Sequence, residues 1–482
     1  MTSILLFTVQ AYVVFAFVYV VFGVDDLIVD AIAFFKGLGI RPLPQRRWAQ
    51  LNSLPEKRLA ILVAAWKESE VLFPVIDGNI EDISYHNYSI ILGVYPNDVD
   101  TVREANRLAE KHSNVKVVVN SQSGPTSKGQ MLNLMVNEIL AHPSKHGGIY
   151  DGFLIHDAED MIHPDSLKLF SWKFDCYDFI QVPIFSLDVP AWNLVAGTYV
   201  DEFAESHSKD LLVREALGCP IPSAGVGTGM SRNLVQMALN AQNGNLLIPH
   251  CVTEDYLLGL SVKKWGLKSH FASYYILDDQ SHREFVATRE FFPKKFWPSV
   301  RQRSRWILGI AFQGWEILGW TNNRAENYFL FRDRKALLTN PLNLMGFVLF
   351  LTLGSFLVVA PEKVFESIQR IQGWSSFWSI SLIALPILNL SLILHRVLQR
   401  MRFTNRIYGW RISLLAPVRI LVGNLIGAIS TIKAANQFWQ SKRSGTAPKW
   451  VKTDHENPFA NKRKSASEIH LRTSDQDLRV SD

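Results

Sequence analysis

An acidic cluster, Asp157, Glu159 and Asp160, follows the short apolar run Phe153–Ile155 in the segment GFLIHDAEDMIHPDSL. The apolar run predicts a buried strand, and a helix is predicted to begin after Pro164. Carboxylates two residues apart can share one hard cation, and Mg²⁺ is typically held by one or two carboxylates together with substrate phosphates. A solvated acidic turn that caps the next helix fits the same residues, so this segment alone leaves both interpretations open.

A second acidic pair, Glu254 and Asp255, follows Thr253 in the segment CVTEDYLLGLSVKKWG. Thr253 is expected at the N-cap of a helix, where the macrodipole favours acidic residues in the first turn. The alternative makes Asp255 a general base that takes a proton from an attacking hydroxyl group. Taken alone, the pair favours the capping role.

The elements that must position these residues are those of a parallel α/β sheet. Strand-like runs, LAILVAA, SIILGV and VKVVV, alternate with helix-like stretches, and this alternation implies right-handed crossovers. Such sheets bind ligands at the carboxyl ends of their strands, which is where the acidic cluster after Ile155 is predicted to lie. Lys128 lies in the loop SQSGPTSKGQ, which fits either a phosphate contact or a plain surface loop.

Composition narrows the class of protein. Cys176, Cys219 and Cys251 lie far apart, which argues against a zinc knuckle or a disulfide framework and fits a reduced compartment. A net charge of +6 is mild for 482 residues. The basic residues cluster beside apolar runs and no nucleic-acid module is visible, so an anionic membrane surface is favoured over nucleic acid.

The N-terminal run Ile4–Val24 is apolar and uncharged, and it is long enough to cross the roughly 30 Å hydrocarbon core of a membrane. A cleaved signal peptide is the alternative. The run lacks a preceding basic region and a small-residue cleavage site, so a retained anchor is predicted. Basic residues such as Lys36 and Arg41 follow the run. The positive-inside rule then places the next domain in the cytoplasm.

Further apolar segments lie in the C-terminal part of the chain. Phe296–Trp320 is basic and then aromatic, which predicts a helix at a membrane interface, with a buried core helix as the alternative. Leu342–Ala360 and Phe377–Leu394 are predicted to span. Ile412–Ile432 contains Arg419, which is costly in mid-bilayer, so this run is predicted to be re-entrant or interfacial.

Taken in order, these residues resemble the family 2 glycosyltransferases with a GT-A fold, the group that contains cellulose, chitin and hyaluronan synthases. DAEDMIHPDSL is similar to the D-x-D segment of that family, TED to its catalytic-base motif, and QRSRW to its Q-x-x-R-W motif. Finer features, YPND, GTGMSRN, VATREFFP and RDRK, resemble the glycosyltransferase region of membrane proteins of the bacteriophage N4 adsorption protein B type. Relatives of that type often carry a cyclic-di-GMP-binding domain, and no PilZ-like signature is visible in this sequence.

The resemblance implies an α/β GT-A domain embedded between membrane helices. The expected organisation is an N-terminal anchor over 1–35, a cytosolic GT-A domain over 36–300, the Q-x-x-R-W segment with interfacial helices over 301–340, C-terminal membrane helices over 341–440, and a basic disordered tail over 441–482.

The resemblance also implies a site for an inverting transfer from a nucleoside-diphosphate sugar, with a UDP-sugar as the favoured donor. The implied residues are, for the donor nucleotide sugar, Glu68, Asp98, Lys128 and Asp157; for Mg²⁺ or Mn²⁺, Asp157 and Glu159; for the catalytic base and its motif, Asp255 and Glu254; and for the acceptor and diphosphate, Gln302, Arg305 and Trp306. Two positions depart from the family pattern. The first aspartate of the family's nucleotide pocket is not plain in GVYPNDVD, and Asp98 is the candidate for it. The second acid of D-x-D is Glu159, a longer carboxylate than aspartate.

The resemblance favours one function over two alternatives. The flanking apolar runs and the Q-x-x-R-W motif favour a growing polysaccharide or glycan as the acceptor, with an export or outer-membrane protein as a possible partner. A single-step transfer onto a lipid is one alternative. A non-enzymatic membrane scaffold or receptor component is another.

Overall fold

The structure is a computed structural model that describes residues 2–277, 283–445 and 457–459. Its contacts divide the chain into two compact units. The helical unit comprises Met1–Gly39, Asp188–Cys219 and Pro293–Pro448. The sheet unit comprises Ile40–Leu187, Pro220–Phe292 and, among the described residues near the C-terminus, 457–459.

The helices are α1 Thr2–Phe35, α2 Gln45–Asn52, α3 Leu72–Asp82, α4 Val99–Lys111, α5 Lys128–Ala141, α6 Ser166–Lys173, α7 Leu194–Glu205, α8 Leu211–Ala216, α9 Arg232–Ala241, α10 Glu254–Ser261, α11 Phe296–Ile307, α12 Gly314–Leu318, α13 Arg324–Arg334, α14 Ala336–Val359, α15 Pro361–Gln372, α16 Ser376–Tyr408, α17 Trp410–Ser413 and α18 Ala416–Ser444. Turns of π-helix lie at Ser206–Asp210 and Leu308–Gln313, and a 3₁₀ turn lies at Lys263–Trp265.

The strands are β1 Arg41–Pro42, β2 Leu59–Ala64, β3 Tyr88–Val94, β4 Val115–Val119, β5 Gly152–His156, β6 Phe179–Gln181, β7 Ile184–Ser186, β8 Thr228–Ser231, β9 Ser269–Phe271, β10 Tyr274–Leu277, β11 Arg283–Phe285 and β12 Thr288–Glu290.

The main sheet of the sheet unit has the strand order β4-β3-β2-β5-β8-β6-β9. β2 pairs in parallel with β3 and β5, and β3 pairs in parallel with β4, whereas β8 runs antiparallel to β5 and β6. Smaller sheets have the orders β1-β10-β11 and β12-β7. The predicted strands are present as β2, β3, β4 and β5. The apolar runs of β2, β3 and β5 are buried almost throughout, as expected for central parallel strands, whereas β4 at the end of the sheet is only partly buried.

The parallel strands bring their carboxyl ends to one edge of the sheet. β2 ends at Ala64, β3 at Val94, β4 at Val119 and β5 at His156. The loops that follow these strands carry the polar residues singled out in the sequence, including the acidic loop that begins at Asp157. This edge is where open α/β sheets bind their ligands.

Among the described residues of the helical unit, α1, α14, α16 and α18 are long and apolar enough to cross a membrane. The long apolar helices predicted at the N-terminus and over Leu342–Ala360 and Phe377–Leu394 are therefore present. Ile412–Ile432 lies mostly within α18, an unbroken helix with Pro417 in its first turn. Phe296–Trp320 is largely helical, while its position at a membrane interface stays a prediction.

The structure differs from the predicted domain boundaries at two places. Asp188–Cys219, predicted within the GT-A domain, groups with the helical unit, because α7 packs on α16 and α18. Within the predicted disordered tail, residues 441–444 continue α18 and residues 457–459 form a turn. The remainder of the predicted tail lies outside the described residues.

A buried ion pair fastens α18 to α7. Arg419 is 1% exposed, and its Nε and Nη2 atoms each donate to a carboxylate oxygen of Asp201 at 2.7 Å. Thr404 Oγ1 donates to the same carboxylate at 2.8 Å, and Arg419 Nη2 also donates to the carbonyl oxygen of Ile412. The arginine that makes a span costly in the sequence thus has a bidentate partner within the protein, which offsets its desolvation.

Asp201→Ala is expected to lower the free energy of unfolding by about 3–5 kcal/mol, because it leaves the buried Arg419 charge without its carboxylate. The measurement is the thermal unfolding of purified protein in detergent. Lys442→Ala is the control, since it breaks a half-exposed pair with Glu316 and should change stability by about 0–1 kcal/mol. Equal effects of the two variants would contradict the assignment of Asp201.

Candidate active site

The loops after β2 and β3 are joined through Asp98. The backbone N–H of Lys67 donates to Asp98 Oδ2 at 2.5 Å, and the backbone N–H of Glu68 donates to Thr101 Oγ1 at 3.0 Å. Asp98 occupies the N-cap position of α4, although its side chain makes no cap hydrogen bond. Glu68 is buried. These two predicted donor-binding residues therefore lie on adjacent, mutually bonded loops at the ligand-binding edge of the sheet.

The loop before α5 is held against an aromatic pair. Asn97 Nδ2 donates to the carbonyl oxygen of Gly124 at 2.8 Å, and the backbone N–H of Gly124 donates to Asn97 Oδ1 at 2.7 Å. The rings of Trp66 and Tyr95 meet edge to face at 5.2 Å, and the Tyr95 hydroxyl lies 2.7 Å from Thr126 Oγ1. A Cβ atom on Gly124 would lie 2.7 Å from both rings, so this close approach requires glycine.

Lys128 supplies a positive charge at this edge of the main sheet. It begins α5, and its Nζ atom donates to Asp157 Oδ1 and, at 2.9 Å, to the carbonyl oxygen of Gly225. Burial by itself lowers the pKa of Lys128, but neighbouring carboxylates, first Asp157 and then Asp255 and Asp160, raise it above its usual range. The ammonium group is therefore fully charged at neutral pH.

The acidic loop is shaped by a buried carboxylate. Asp160 is fully buried, and its Oδ2 atom accepts from the backbone N–H of Asp157 at 3.0 Å and lies 3.0 Å from His156 Nδ1. Burial raises the pKa of Asp160. Asn79 on α3 fixes the far side of the loop, because its Nδ2 donates to the Asp160 carbonyl at 2.7 Å and its Oδ1 accepts from the N–H of Ile162 at 3.0 Å.

The residues predicted to bind a metal differ in accessibility. The Asp157 side chain is 31% exposed, whereas Glu159 is buried. Within the described residues, no group of three or more His, Cys, Asp or Glu side chains is arranged to hold a metal ion. A divalent cation here would take one or two carboxylate oxygens from the protein and the rest from a diphosphate and water, which is the usual arrangement for Mg²⁺. Asp157 fits the role of the accessible ligand.

Glu254 fastens the start of α10 to the start of α5. Its Oε1 atom accepts from the backbone N–H of Gly129 at 2.7 Å, and its carboxyl group is buried. Burial, reinforced by the charge of Asp255, raises the pKa of Glu254 to about 7. Thr253 stands at the N-cap of α10, as predicted, and its side chain makes no cap hydrogen bond.

Asp255 lies beside Gly225, in the loop before β8. A Cβ atom on Gly225 would lie 2.3 Å from Asp255 Oδ2, and Gly225 has a φ of +80°, so both space and backbone require glycine. The Gly225 carbonyl accepts from Lys128, which also binds Asp157. Lys128 and Asp255 therefore meet at Gly225, and Asp157 is joined to them through Lys128. The sequence predicts no role for Gly225, whose only signal is the glycine-rich run SAGVGTG.

The residues predicted for the acceptor lie on α11 in the helical unit. The Trp306 ring meets Tyr199 edge to face at 5.9 Å and lies 6.2 Å from the ring of Phe203. Gln302 Oε1 is buried and has no hydrogen-bond partner among the described residues. Arg305 is partly exposed on the same helix. The acids and Lys128 belong to the other unit.

Arg303, within the same motif, was not singled out by the sequence analysis. Its Nη1 donates to Glu202 at 2.7 Å, its Nη2 donates to Thr198 at 2.9 Å, and its guanidinium lies 4.5 Å from the centre of the Tyr199 ring. These contacts join α11 to α7. Arg303 therefore fixes the helix that carries Gln302, Arg305 and Trp306.

Residues 55–309 of the chain match a known protein family, described as "Glycosyltransferase like family 2". The chain belongs to that family. This is a family of glycosyltransferases, and the predicted GT-A fold class is confirmed by the family match and the mixed sheet.

Curated relatives match most of the length of this family 2 glycosyltransferase. Bacteriophage adsorption protein B of Escherichia coli strain K12 is 34% identical over 461 residues, which cover 90% of this chain and 60% of the relative. Bacteriophage N4 adsorption protein B of Escherichia coli O157:H7 gives the same values. The chain thus spans 60% of the length of these relatives.

Solved structures are similar at low identity. A mannosyltransferase from Pyrobaculum calidifontis in complex with GDP-Man and Mn²⁺ is 14% identical, with a TM-score of 0.49, and the match covers 79% of this chain and 99% of that chain. S. aureus TarS 1–349 in complex with UDP-GlcNAc is 11% identical, with a TM-score of 0.32 and coverage of 83% and 98%.

The raised pKa of Glu254 predicts a pH dependence of stability. Because its folded-state pKa is about 7 and its ordinary value is 4.5, the folded protein holds this proton more tightly than the unfolded chain. The resulting stability is complete below pH 4.5 and is lost as the pH rises through about 7. Glu254→Gln is neutral throughout, so its thermal midpoint relative to wild type should rise across this window.

Glu104→Gln provides the matched control on α4. Glu104 pairs with Arg107 at 2.7 Å, and an arginine keeps its charge throughout this pH range. Between pH 4.5 and about 7, the thermal midpoint of this variant relative to wild type should change far less than that of Glu254→Gln. Parallel curves for wild type and Glu254→Gln over that window would contradict the assignment.

Proposed function

We propose that this family 2 glycosyltransferase transfers a sugar, with inversion at the anomeric carbon, from a nucleoside-diphosphate sugar to a growing polysaccharide or glycan at a bacterial inner membrane. The observation that carries the proposal is that Lys128 and Asp255 meet at Gly225, while Lys128 also bonds to Asp157 at the carboxyl end of the parallel strand β5. One substrate would then meet an ammonium group, a carboxylate proposed to bind a metal ion, and a second carboxylate.

The donor is assigned to the loops after β2, β3 and β4. Glu68 and Asp98 lie at the nucleotide end, and Lys128 offers a charged ammonium group to the diphosphate. Because Lys128 is already bonded to Asp157, we propose that a divalent cation balances the charge of the diphosphate. Mg²⁺ or Mn²⁺, held by Asp157 and Glu159, would stabilise the negative charge that builds on the leaving diphosphate. A UDP-sugar is the favoured donor.

Asp255 is assigned as the general base. The acceptor hydroxyl oxygen forms a bond to the anomeric carbon while the bond from that carbon to the diphosphate oxygen breaks, and the diphosphate leaves with the electron pair. Asp255 takes the hydroxyl proton. Attack from the face opposite the leaving group inverts the configuration. Glu254 acts as a positioning residue, because its bond to Gly129 fixes the first turn of α10 next to Lys128.

Gln302, Arg305 and Trp306 are assigned to the acceptor end, with Trp306 as a stacking surface for a sugar ring and Arg305 as a diphosphate or acceptor contact. Their support is the Q-x-x-R-W motif on α11. The helices able to cross a membrane favour an acceptor that stays at the membrane. A single transfer onto a lipid is the second candidate, and these same helices favour it. An export or outer-membrane partner is proposed only for the polymer.

The test uses purified protein in nanodiscs with a panel of nucleotide sugars and measures release of nucleoside diphosphate with Mg²⁺, Mn²⁺ or EDTA. One donor is expected to turn over only with metal, and Asp255→Asn should reduce that rate by about 10²–10⁴-fold, the usual contribution of a positioned base. Asp175→Asn, at an exposed carboxylate paired with Lys57, is the matched control and should retain the wild-type rate.

Product analysis separates the two candidate acceptors. Long saccharide chains with inverted linkages are expected for the polymer, whereas a lipid carrying a single sugar would identify the second candidate. Full activity of Asp255→Asn, or turnover unaffected by EDTA, would refute the proposed mechanism.

A further inference from the structure

Phe459, far along the chain from the catalytic loops, is buried on α3 of the sheet unit. Its side chain packs with Val71 and Val75 and against Met161, and only 6% of the residue is exposed. A Cβ atom on Gly78 would lie 2.7–2.9 Å from three ring carbons of Phe459. The ring therefore occupies space that exists because residue 78 has no side chain. We call this site the α3 socket.

A local turn presents the ring to the α3 socket. Asn457 Oδ1 accepts from the backbone N–H of Phe459 at 2.9 Å, which closes an Asx-type turn across Pro458. Proline has a fixed φ, so the turn is partly preformed before it docks. The segment Asn-Pro-Phe thus has both a defined shape and a matching apolar surface on α3.

The α3 socket lies directly behind the acidic loop. Asn79, the neighbour of Gly78, bonds to the Asp160 carbonyl and to the N–H of Ile162. Met161, which contacts the ring, also exchanges backbone hydrogen bonds with Arg289, at 2.8 and 3.0 Å. The ring is therefore packed against both the helix and the loop that these bonds connect.

The acidic loop in turn sets the position of Asp157, because Asp160 Oδ2 accepts from the Asp157 N–H at 3.0 Å. A continuous series of contacts thus runs from Phe459 through α3 and Met161 to Asp160 and Asp157. Without the ring, the apolar faces of Val71 and Val75 meet water and the Gly78 site is left unfilled.

We infer that Asn457–Phe459 is an intramolecular docking segment whose ring, seated in the α3 socket, braces the acidic loop and keeps Asp157 in position for transfer. The docking stands on the contacts alone. Its effect on rate rests on the proposed function, so the two are measured separately.

Docking is tested by placing p-azido-phenylalanine at position 459 of the full-length protein in nanodiscs. Irradiation should join residue 459 to residues 71–78 or to Met161 within one chain, as mapped by peptide mass spectrometry. Gly78→Ala, whose added carbon occupies the ring position, should reduce this crosslink severalfold. Crosslinks between two chains, or only to other segments, would overturn the inference. This readout does not depend on catalysis, so an inactive preparation would refute the proposed function and leave docking measurable.

Bracing is tested by steady-state kinetics of Phe459→Ala, Gly78→Ala and the double variant. Each single variant should lower kcat by about tenfold, with donor KM nearly unchanged, because small displacements of a positioned group are costly to the chemical step. The double variant should be no slower than the slower single variant, since both remove the same contact. Phe459→Leu should restore most of the rate. Unchanged kcat, or losses that multiply, would overturn the bracing.

Discussion

The arrangement of the candidate active site depends on one partly buried cation, Lys128. Asp157, Asp160 and Asp255 lie near one another at the sheet edge, and like charges at such short range destabilise a fold unless a cation balances them. Lys128 supplies that balance through direct bonds to Asp157 and to the Gly225 carbonyl. Its position follows from the start of α5, which Glu254 holds through Gly129. The same ammonium group is the one that we propose to bind the diphosphate of the donor.

Much of the sheet could be predicted because its central strands are continuous apolar runs. The motifs of the candidate site could be recognised because they occur along the chain in the order that the family has. β8 could not, because TGMS is short and has no apolar pattern, although it separates β5 from β6. Contacts between residues that lie far apart in the sequence could not be predicted either. Nothing in the local sequence shows that Glu254 bonds to Gly129, or that Gly225 takes a positive φ to admit Asp255.

Charges within the helical unit illustrate a second limit of sequence reasoning. Arg419 was recognised as costly in an apolar run, but its partner Asp201 lies more than two hundred residues earlier and inside the predicted GT-A domain. Lys209 is likewise buried and donates to Glu205 at 2.7 Å on the preceding turn. A sequence shows the cost of a buried charge at once, whereas the group that offsets it becomes visible only in the folded chain.

The most direct measurement is calorimetric titration of UDP and GDP into wild type and Asp157→Asn, with Mn²⁺, Mg²⁺ or EDTA. If Asp157 binds a cation that is shared with the diphosphate, metal should tighten binding of one nucleotide to wild type by about tenfold or more, worth about 1.4 kcal/mol, and should leave the variant unchanged. Binding that is equal in EDTA, or equally strengthened by metal in Asp157→Asn, would contradict a donor site built around Asp157.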